Sequence, residues 1–264
     1  MDDRDVAASW NASARTWTQH VRAGYGFDRI LMNNPAFSEL IGDIAGMRVL
    51  DACCGEGYNT RLLARRAQSM TGIDISEALI AQAREEEARE PLGIRYELGS
   101  VSDMRVFGDH QFDALLSTLA MMDVADYRGA VTEVFRVLRP GGMFAFSTCH
   151  PCFNYELKTR KWVRDSEGRC TGIIVGNYFR RAAFECTWRF RHAPRDDGCE
   201  PMTTIGFDRT LSDYINPLCR TGFVIERIVE PQATHEACAA DPSMRNHQLI
   251  PHTLLVKARK PKGR

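Results

Sequence analysis

The sequence lacks net charge and long apolar runs. Its 34 basic and 34 acidic residues cancel to a formal charge of zero, which excludes the broad basic field that attracts nucleic acid or an anionic membrane. The longest nearly apolar stretch, from Ala114 to Met122, is too short to cross a bilayer. We therefore expect neither a nucleic acid nor a membrane as partner.

The first residues also lack the basic region and apolar core of a secretory signal, since they read MDDRD. We therefore expect a cytoplasmic protein whose nine cysteines stay mostly reduced. The odd cysteine count argues against a complete intramolecular disulfide framework.

The chain has little that could hold a metal. Cys149 and Cys152 form one C-x-x-C pair, and His192, Cys186 and Cys199 lie downstream. A zinc site usually combines two tight pairs of ligands, and no second tight pair exists here. We therefore expect no metal.

From Met47 onwards, short β-rich runs alternate with helical stretches. This rhythm predicts a doubly wound α/β fold with a parallel sheet and right-handed crossovers. Arg139-Pro140-Gly141-Gly142 is a strong stop and turn signal after one of the helices. The predicted strands are 47–52, 70–75, 94–98, 112–117, 143–148, 223–229 and 253–258, and the predicted helices are 58–67, 77–89, 127–138 and 208–220.

The rhythm stops after Thr148 and resumes near Asp208. The block between them is rich in aromatic residues and shows no clear helix, which favours a cap over a ligand pocket. We expect three parts: an N-terminal helical lid at 1–44, a ligand-binding domain at 45–148 and 207–264, and a cap insertion at 149–206.

The sharpest signal is a strand that runs into a glycine turn and then a helix, at residues 49–57, VLDACCGEG. Gly55 and Gly57 let the backbone turn tightly and approach a ligand that side chains would exclude. A dinucleotide fingerprint starting at Gly55 needs a third small residue at position 60, where Thr60 stands. Asp51, at the strand end, would repel a pyrophosphate and suits the ammonium group of a methionine moiety. These residues disfavour a nicotinamide dehydrogenase.

A second carboxylate closes the next predicted strand in Gly72-Ile73-Asp74-Ile75-Ser76. The spacing of Asp74 from the glycine turn matches a residue that accepts both ribose hydroxyls.

Together these residues resemble the class I S-adenosylmethionine-dependent methyltransferases. The similarity runs from about Trp10 to the last residues, omitting the insertion, and includes QFDALLS at 111–117 and VLRPGG at 137–142. The resemblance implies S-adenosylmethionine as cofactor, with S-adenosylhomocysteine as its product. It also implies a Rossmann-like, seven-stranded sheet whose last strand is antiparallel.

The resemblance further implies which residues bind the cofactor. Residues after the third strand hold the adenine, and the end of the fourth strand passes beneath the methionine part. The implied residues are Asp51, Ala52, Cys53, Gly55, Gly57, Asp74, Ile75, Ser100, Val101, Ser102, Ser117, Thr118 and Leu119. One departure matters: the family often has an aspartate where Ser100 stands, so the acceptor for the adenine amino group stays open, with Asp103 as a candidate substitute.

His150 is the best candidate for a general base, because it lies just past the fifth strand at the edge where such sheets bind ligands. The alternative is a histidine that only orients the loop before Pro151. Position alone does not supply the geometry that base catalysis demands.

Near the N-terminus, Trp10 and Trp17 lie seven residues apart on a predicted helix, so both rings share one face. Core packing and a lid over the cofactor both fit this spacing. As a lid, the segment would bring Trp17 and Arg22 to the cofactor, with Arg22 on the methionine carboxylate. The residues expected to contact the acceptor are Trp10, Trp17, His20, Met121, His150, Phe153 and Tyr178.

The function predicted is methyl transfer from S-adenosylmethionine to an oxygen, nitrogen or carbon of a small molecule, for which an aromatic-rich cap is suited. The alternatives are a methyltransferase of tRNA or protein and a non-catalytic module that binds S-adenosylmethionine. Association into a homo-oligomer stays open.

Overall fold

A computed structural model describes residues 1–153 and 160–263. Its strands are β1 (Arg48–Ala52), β2 (Ser69–Asp74), β3 (Arg95–Leu98), β4 (Phe112–Thr118), β5 (Leu138–Cys149), β6 (Arg160–Arg164), β7 (Cys170–Val175), β8 (Ala183–Trp188), β9 (Met202–Phe207), β10 (Val224–Val229) and β11 (Thr253–Arg259). Its α-helices are α1 (Asp3–Arg22), α2 (Asn34–Ile41), α3 (Tyr58–Ala64), α4 (Glu77–Arg89), α5 (Tyr127–Val137), α6 (Leu211–Thr221) and α7 (His235–Ala240), joined by a π-helical turn at Arg29–Asn33 and a 3₁₀ segment at Pro242–Gln248. None of these helices is both long and apolar enough to cross a membrane.

The central sheet has seven strands in the order β10-β11-β5-β4-β1-β2-β3. Strands β1 to β5 pair in parallel, and β11 is antiparallel to both β5 and β10. The predicted doubly wound fold with an antiparallel last strand is therefore confirmed. The strand order reverses between β1 and β4, and ligands of doubly wound sheets bind in the crevice beyond such a point.

Helices cover both faces of the sheet, as a buried parallel sheet requires. On one face Leu50 and Leu115 pack with Val134 of α5 and Leu218 of α6 in a single apolar cluster. On the other face the neighbouring strand residues pack against α2 and α4. Because both faces are covered, the ends and edges of the strands remain for a ligand.

Helix α1 lies outside these layers. A capping box between Asp2 and Asp5 starts it, and it packs against α4 and β9. It therefore connects the edge of the main sheet to the segment inserted after β5.

The segment after β5 forms strands where the sequence indicated only an absence of helix. β6 pairs with β7, and β8 pairs with β9, each antiparallel and separate from the main sheet. Residues 154–159 of the predicted cap lie outside the described part of the chain. The division into lid, binding domain and cap stays a prediction.

Candidate active site at the carboxyl edge of the sheet

A cavity of about 580 Å³ lies beyond the carboxyl ends of β1, β2 and β4, at the point where the strand order reverses. Its size is typical of small-molecule sites. The glycine turn, Asp74 and the loop after β3 line one part, which we call the cofactor half. Strands β8 and β9 line the other part, which we call the acceptor half.

The glycine turn is held open by backbone conformations that favour glycine. Gly55 and Gly57 have φ of 58° and 85°. A Cβ on Gly57 would lie 2.4 Å from the hydroxyl of Tyr96, so a side chain there would also clash. The Gly55 N–H donates to Asp74 Oδ2 at 2.8 Å, which ties the turn to the end of β2. Gly57 itself does not line the cavity and acts through the shape of the turn.

Asp51 lies buried on the cavity wall and accepts a hydrogen bond from Thr60 Oγ1 at 2.6 Å. Burial raises its pKa to about 7, although the Thr60 hydrogen bond opposes that rise. A carboxylate in such a site gains from a cationic ligand group, because the cation restores the interactions lost with water. Thr60, which excluded the dinucleotide fingerprint, thus orients the proposed ammonium acceptor.

Asp74 lines the cavity at the end of β2, and burial raises its pKa to about 6. Oδ2 accepts from the Gly55 N–H, and Oδ1 accepts from the Ser76 N–H at 2.9 Å. Each carboxylate oxygen can accept a further hydrogen bond. The two oxygens are therefore fixed in place and fit a pair of ribose hydroxyls.

Two polar groups of the cofactor half lack a partner in the described part of the chain. Oε1 of buried Glu56 and Oγ1 of Thr118 have no hydrogen bond there, although Glu56 Oε2 accepts from Trp17 Nε1 at 2.6 Å. Buried polar groups are rarely left unpaired in native proteins. A polar ligand in the cofactor half fits these residues.

A guanidinium also faces the cofactor half. Arg29 lines the cavity, and its guanidinium lies over the rings of Trp17 and Tyr58, at 5.4 and 5.1 Å. Burial lowers its pKa, while Glu56 and Asp51 act in the opposite direction. A guanidinium suits bidentate recognition of a carboxylate. Arg22 was predicted for this role and is corrected: it is exposed and pairs with Glu86 of α4 at 3.3 Å, away from the cavity.

The loop after β3 contributes Ser100 and Val101 to the cavity lining, whereas Ser102 lies behind them. Asp103, the candidate substitute acceptor, points to solvent and pairs with Arg105. The carboxylate that reaches this loop belongs to Asp3 of α1 instead. Local spacing did not reveal it, because 97 residues separate Asp3 from Ser100.

The end of β4 forms the floor of the cavity through Thr118 and Leu119. Leu119 has a φ of 53°, and its N–H donates to Ser147 Oγ at 2.9 Å, which holds the turn. Ser117 and Ala52 are fully buried and support the floor without lining it. Cys53 and Ile75 line the cavity as predicted residues of the cofactor half.

Asp123 follows this floor and faces the cavity. Burial raises its pKa to about 8, and the positive charge of Arg209 opposes the rise. Burial is the main reason that the pKa of the Cys53 thiol is raised, and the charge of Asp123 adds to the rise, which places Asp123 near the glycine turn. A carboxyl group that titrates near neutral pH between the two halves suits proton transfer. No motif in the sequence points to Asp123.

His150 is buried and does not line the cavity. Its Nε2 lies 2.7 Å from Glu230 Oε1, and its Nδ1 accepts from the Cys152 N–H at 3.2 Å. Both ring nitrogens are thus engaged within the protein. These contacts favour the loop-orienting role over the general base.

Four other residues predicted at the acceptor lie elsewhere. Met121 packs in the core, because the turn after β4 directs Met122 and Asp123 to the cavity instead. His20 is fully buried and pairs with Asp197 at 2.7 Å. Phe153 and Tyr178 stand outside the lining: Phe153 packs on the His150 ring, and the Tyr178 hydroxyl accepts from the Leu211 N–H at 2.9 Å.

Trp10 and Trp17 both line the cavity, with their rings edge to face at 5.3 Å. Trp17 also contacts Trp188 and Phe190 of the inserted segment, at 6.2 and 5.6 Å between ring centroids. These contacts favour the lid interpretation, since the pair covers the cavity and does not pack in the apolar clusters of the sheet.

The acceptor half combines aromatic rings with polar and charged side chains, among them Arg191, Asp208 and Ser243. The aromatic residues that share this wall are Tyr25, Phe27, Phe184, Trp188, Phe190 and Phe207.

Among the residues that the structure describes, one group has the geometry to hold a metal ion, namely His20, Asp197 and Cys199. Arg189 already pairs with Asp197, which opposes a cation at that position.

A family described as a methyltransferase domain matches residues 50–146. The crystal structure of an S-adenosylmethionine-dependent methyltransferase from Mesorhizobium loti is 30% identical, with a TM-score of 0.70, and the match covers 85% of this chain and 96% of that one.

Two curated relatives match over a shorter range. A ubiquinone biosynthesis O-methyltransferase from Alkalilimnicola ehrlichii is 29% identical over 56% of this chain and 60% of the relative. A malonyl-[acyl-carrier protein] O-methyltransferase from Salmonella typhimurium is 36% identical over 56% of this chain and 55% of the relative. The chain thus spans little more than half the length of these two relatives.

Proposed function

Because the chain belongs to the class I S-adenosylmethionine-dependent methyltransferases, we propose that it transfers the methyl group of S-adenosylmethionine to an oxygen, nitrogen or carbon of a small molecule. The observation that carries the proposal is one continuous cavity, in which paired carboxylates line the cofactor half and aromatic rings line the acceptor half. This arrangement brings a donor and an acceptor face to face.

The cofactor half supplies groups for each part of the proposed ligand. Asp74 accepts hydrogen bonds from the ribose hydroxyls, Asp51 attracts the methionine ammonium group, and Arg29 binds the methionine carboxylate. When bound, S-adenosylmethionine supplies a methyl group that is already activated by its sulfonium centre. The chain therefore has to hold the acceptor in line, and alignment alone can contribute about 7–11 kcal/mol to lowering the barrier.

The acceptor half fits an aromatic or amphipathic metabolite, because its wall combines flat aromatic surfaces with polar and charged side chains. Asp123 stands between the two halves and is proposed to take a proton from an acceptor that carries one. His150 is proposed to orient the loop that follows β5, because its Nδ1 accepts a hydrogen bond from the Cys152 N–H. Cys149 and Pro151, on either side of His150, line the cavity.

The proposal is tested by calorimetry with S-adenosylhomocysteine and with NAD. We expect S-adenosylhomocysteine to bind and NAD not to bind, since Asp51 repels a pyrophosphate. Asp74→Asn should weaken S-adenosylhomocysteine binding roughly ten- to hundredfold, the usual effect of losing a charged hydrogen-bond partner.

Asp103→Asn is the matched control, because Asp103 is an exposed carboxylate on the neighbouring loop. It should leave the dissociation constant unchanged. Tight NAD binding with no heat from S-adenosylhomocysteine would refute the assignment.

A further inference from the structure

The carboxylate of Asp3 lies where the nucleoside base of the proposed cofactor would end. Asp74, the proposed acceptor of hydrogen bonds from the ribose, lies at the end of β2, and ligands of doubly wound sheets bind in the crevice at the carboxyl ends of the strands. The neighbouring strand is β3, which pairs with β2 and runs into Gly99, Ser100 and Val101 of the cavity wall. Asp3 lines the cavity at this same place.

The hydrogen bonds of Asp3 leave one oxygen for a ligand. Oδ2 accepts from Ser100 Oγ at 2.6 Å and from Ser102 Oγ at 2.9 Å. Across the described part of the chain, no hydrogen bond reaches Oδ1. The serine hydroxyls donate their protons to Asp3, so they fix its orientation. A carboxylate held by one oxygen presents the other as a directed acceptor.

On the basis of the proposed function, we infer that Asp3 accepts a hydrogen bond from the 6-amino group of adenine. Asp3 thereby selects adenine over a base that lacks this amino group. The nucleoside part of the cofactor is thus recognised by two chain segments. β2 supplies the carboxylate that accepts hydrogen bonds from the ribose, and α1 supplies the carboxylate that accepts a hydrogen bond from the base. Asp103, although close in sequence to Ser100, has its carboxylate on Arg105 and faces solvent. The loop after β3 therefore holds the acceptor in place and does not supply it.

A purely structural role for Asp3 predicts a different result. A carboxylate in the first turn stabilises a helix through the dipole, whatever the ligand. Removing it would then weaken every ligand by the same factor. Recognition of the amino group instead predicts a change in preference between two ligands that differ only in that group.

The experiment measures the dissociation constants of S-adenosylhomocysteine and of its 6-deamino analogue, in which hydrogen replaces the adenine amino group. The wild-type protein should prefer S-adenosylhomocysteine roughly ten- to hundredfold, because the analogue leaves Asp3 without its donor. In Asp3→Ala the two dissociation constants should become about equal, so the preference should be lost. Asp3→Asn keeps the size of the side chain and the Asp2–Asp5 capping box, and it should give an intermediate preference. Asp103→Asn should keep the wild-type preference.

Each other outcome overturns the inference. Equal weakening of both ligands in Asp3→Ala and Asp3→Asn would assign Asp3 to helix stability alone. Loss of the preference in Asp103→Asn would move the acceptor to Asp103. Failure of the wild-type protein to bind S-adenosylhomocysteine would refute the proposed function itself, and is distinguished from the first two results because they require that binding.

Discussion

Asp51 and Asp74 show how burial prepares a site for a charged ligand. Both are buried on the cavity wall, and burial is the largest cause of their raised pKa values, about 7 and about 6. The charge of Asp74 raises the pKa of Asp51 further. A cationic ligand group would reverse this balance, since it favours the ionised carboxylates.

These pKa values predict that cofactor binding depends on pH. Below a raised pKa a carboxyl group is neutral, so Asp51 stops attracting an ammonium group below about pH 7 and Asp74 loses its charge below about pH 6. The affinity for S-adenosylhomocysteine should therefore fall on acidification through these two values. Calorimetry across this range measures it, and Asp51→Asn should remove the upper step while keeping the lower one.

Asp103→Asn again serves as control and should keep both steps, because the pKa of Asp103 is lowered by its hydrogen bond to Arg105. An affinity that stays constant between pH 8 and pH 5.5 would mean that neither carboxylate binds the ligand in its ionised form, contrary to the assignment made from their pKa values near 7 and 6.

At the scale of single residues, sequence reasoning located residues of the cavity wall where the signal was local. Asp51, Gly55 and Asp74 belong to short motifs at strand ends, and each lines the cavity. Asp3 and Arg29 were missed because the folding of the chain brings them to strands far away in sequence. Arg22 was chosen for its position after the tryptophans, whereas α1 ends there and directs its side chain to α4.

Helix α1 connects the two halves of the cavity through two of its faces. Asp3, Trp10 and Trp17 lie seven residues apart in succession, so they share the face that lines the cavity. On another face, Ser9 Oγ and Ser13 Oγ donate to the Thr203 carbonyl of β9, at 2.7 and 3.2 Å. A ligand that holds α1 should therefore also hold β9.

This coupling predicts a pattern of amide hydrogen exchange. Binding of S-adenosylhomocysteine should slow exchange in α1 and also in the β8–β9 hairpin, which lines mainly the acceptor half. Strand β10 is the internal control, since it forms the edge of the sheet opposite β3. Mass spectrometry of the exchanged peptides measures the effect. Protection confined to the glycine turn and β2, with α1 and β8–β9 unchanged, would refute the coupling.

At this scale the main sheet was predictable and the inserted strands were not. The strands of the sheet are short apolar runs between turn signals, and their observed bounds differ from the predicted ones by few residues except at the start of β5, which begins at Leu138. In β8 the cavity-facing residues are Phe184, Cys186 and Trp188, which alternate as a strand requires. Polar residues elsewhere in the segment obscure this alternation in the sequence.

Among the residues that the structure describes, the large apolar clusters of the molecule lie on the two faces of the main sheet. Those clusters draw on strands β1 to β5, β11 and the covering helices. A smaller third cluster joins Met32 to residues of the segment around α7. In the described part of the insertion, residues 149–153 and 160–206, no such cluster forms. The inserted strands therefore depend on α1 and on the cavity for their burial.

Unfolding of the whole molecule should therefore be a single cooperative transition that the cofactor product shifts upward. A ligand that binds only the folded state at one hundred times its dissociation constant adds about 2.7 kcal/mol of stability. For a chain of this size that corresponds to a rise in Tm of roughly 5–10 °C. Calorimetric scans with S-adenosylhomocysteine should show one peak that moves by this amount, and scans with NAD should show no movement. Because the described residues of the insertion, 149–153 and 160–206, form no large apolar cluster of their own, no separate peak should remain in place. A second transition unaffected by S-adenosylhomocysteine would mean that the insertion folds independently, and it would contradict the coupling of cap and sheet through α1.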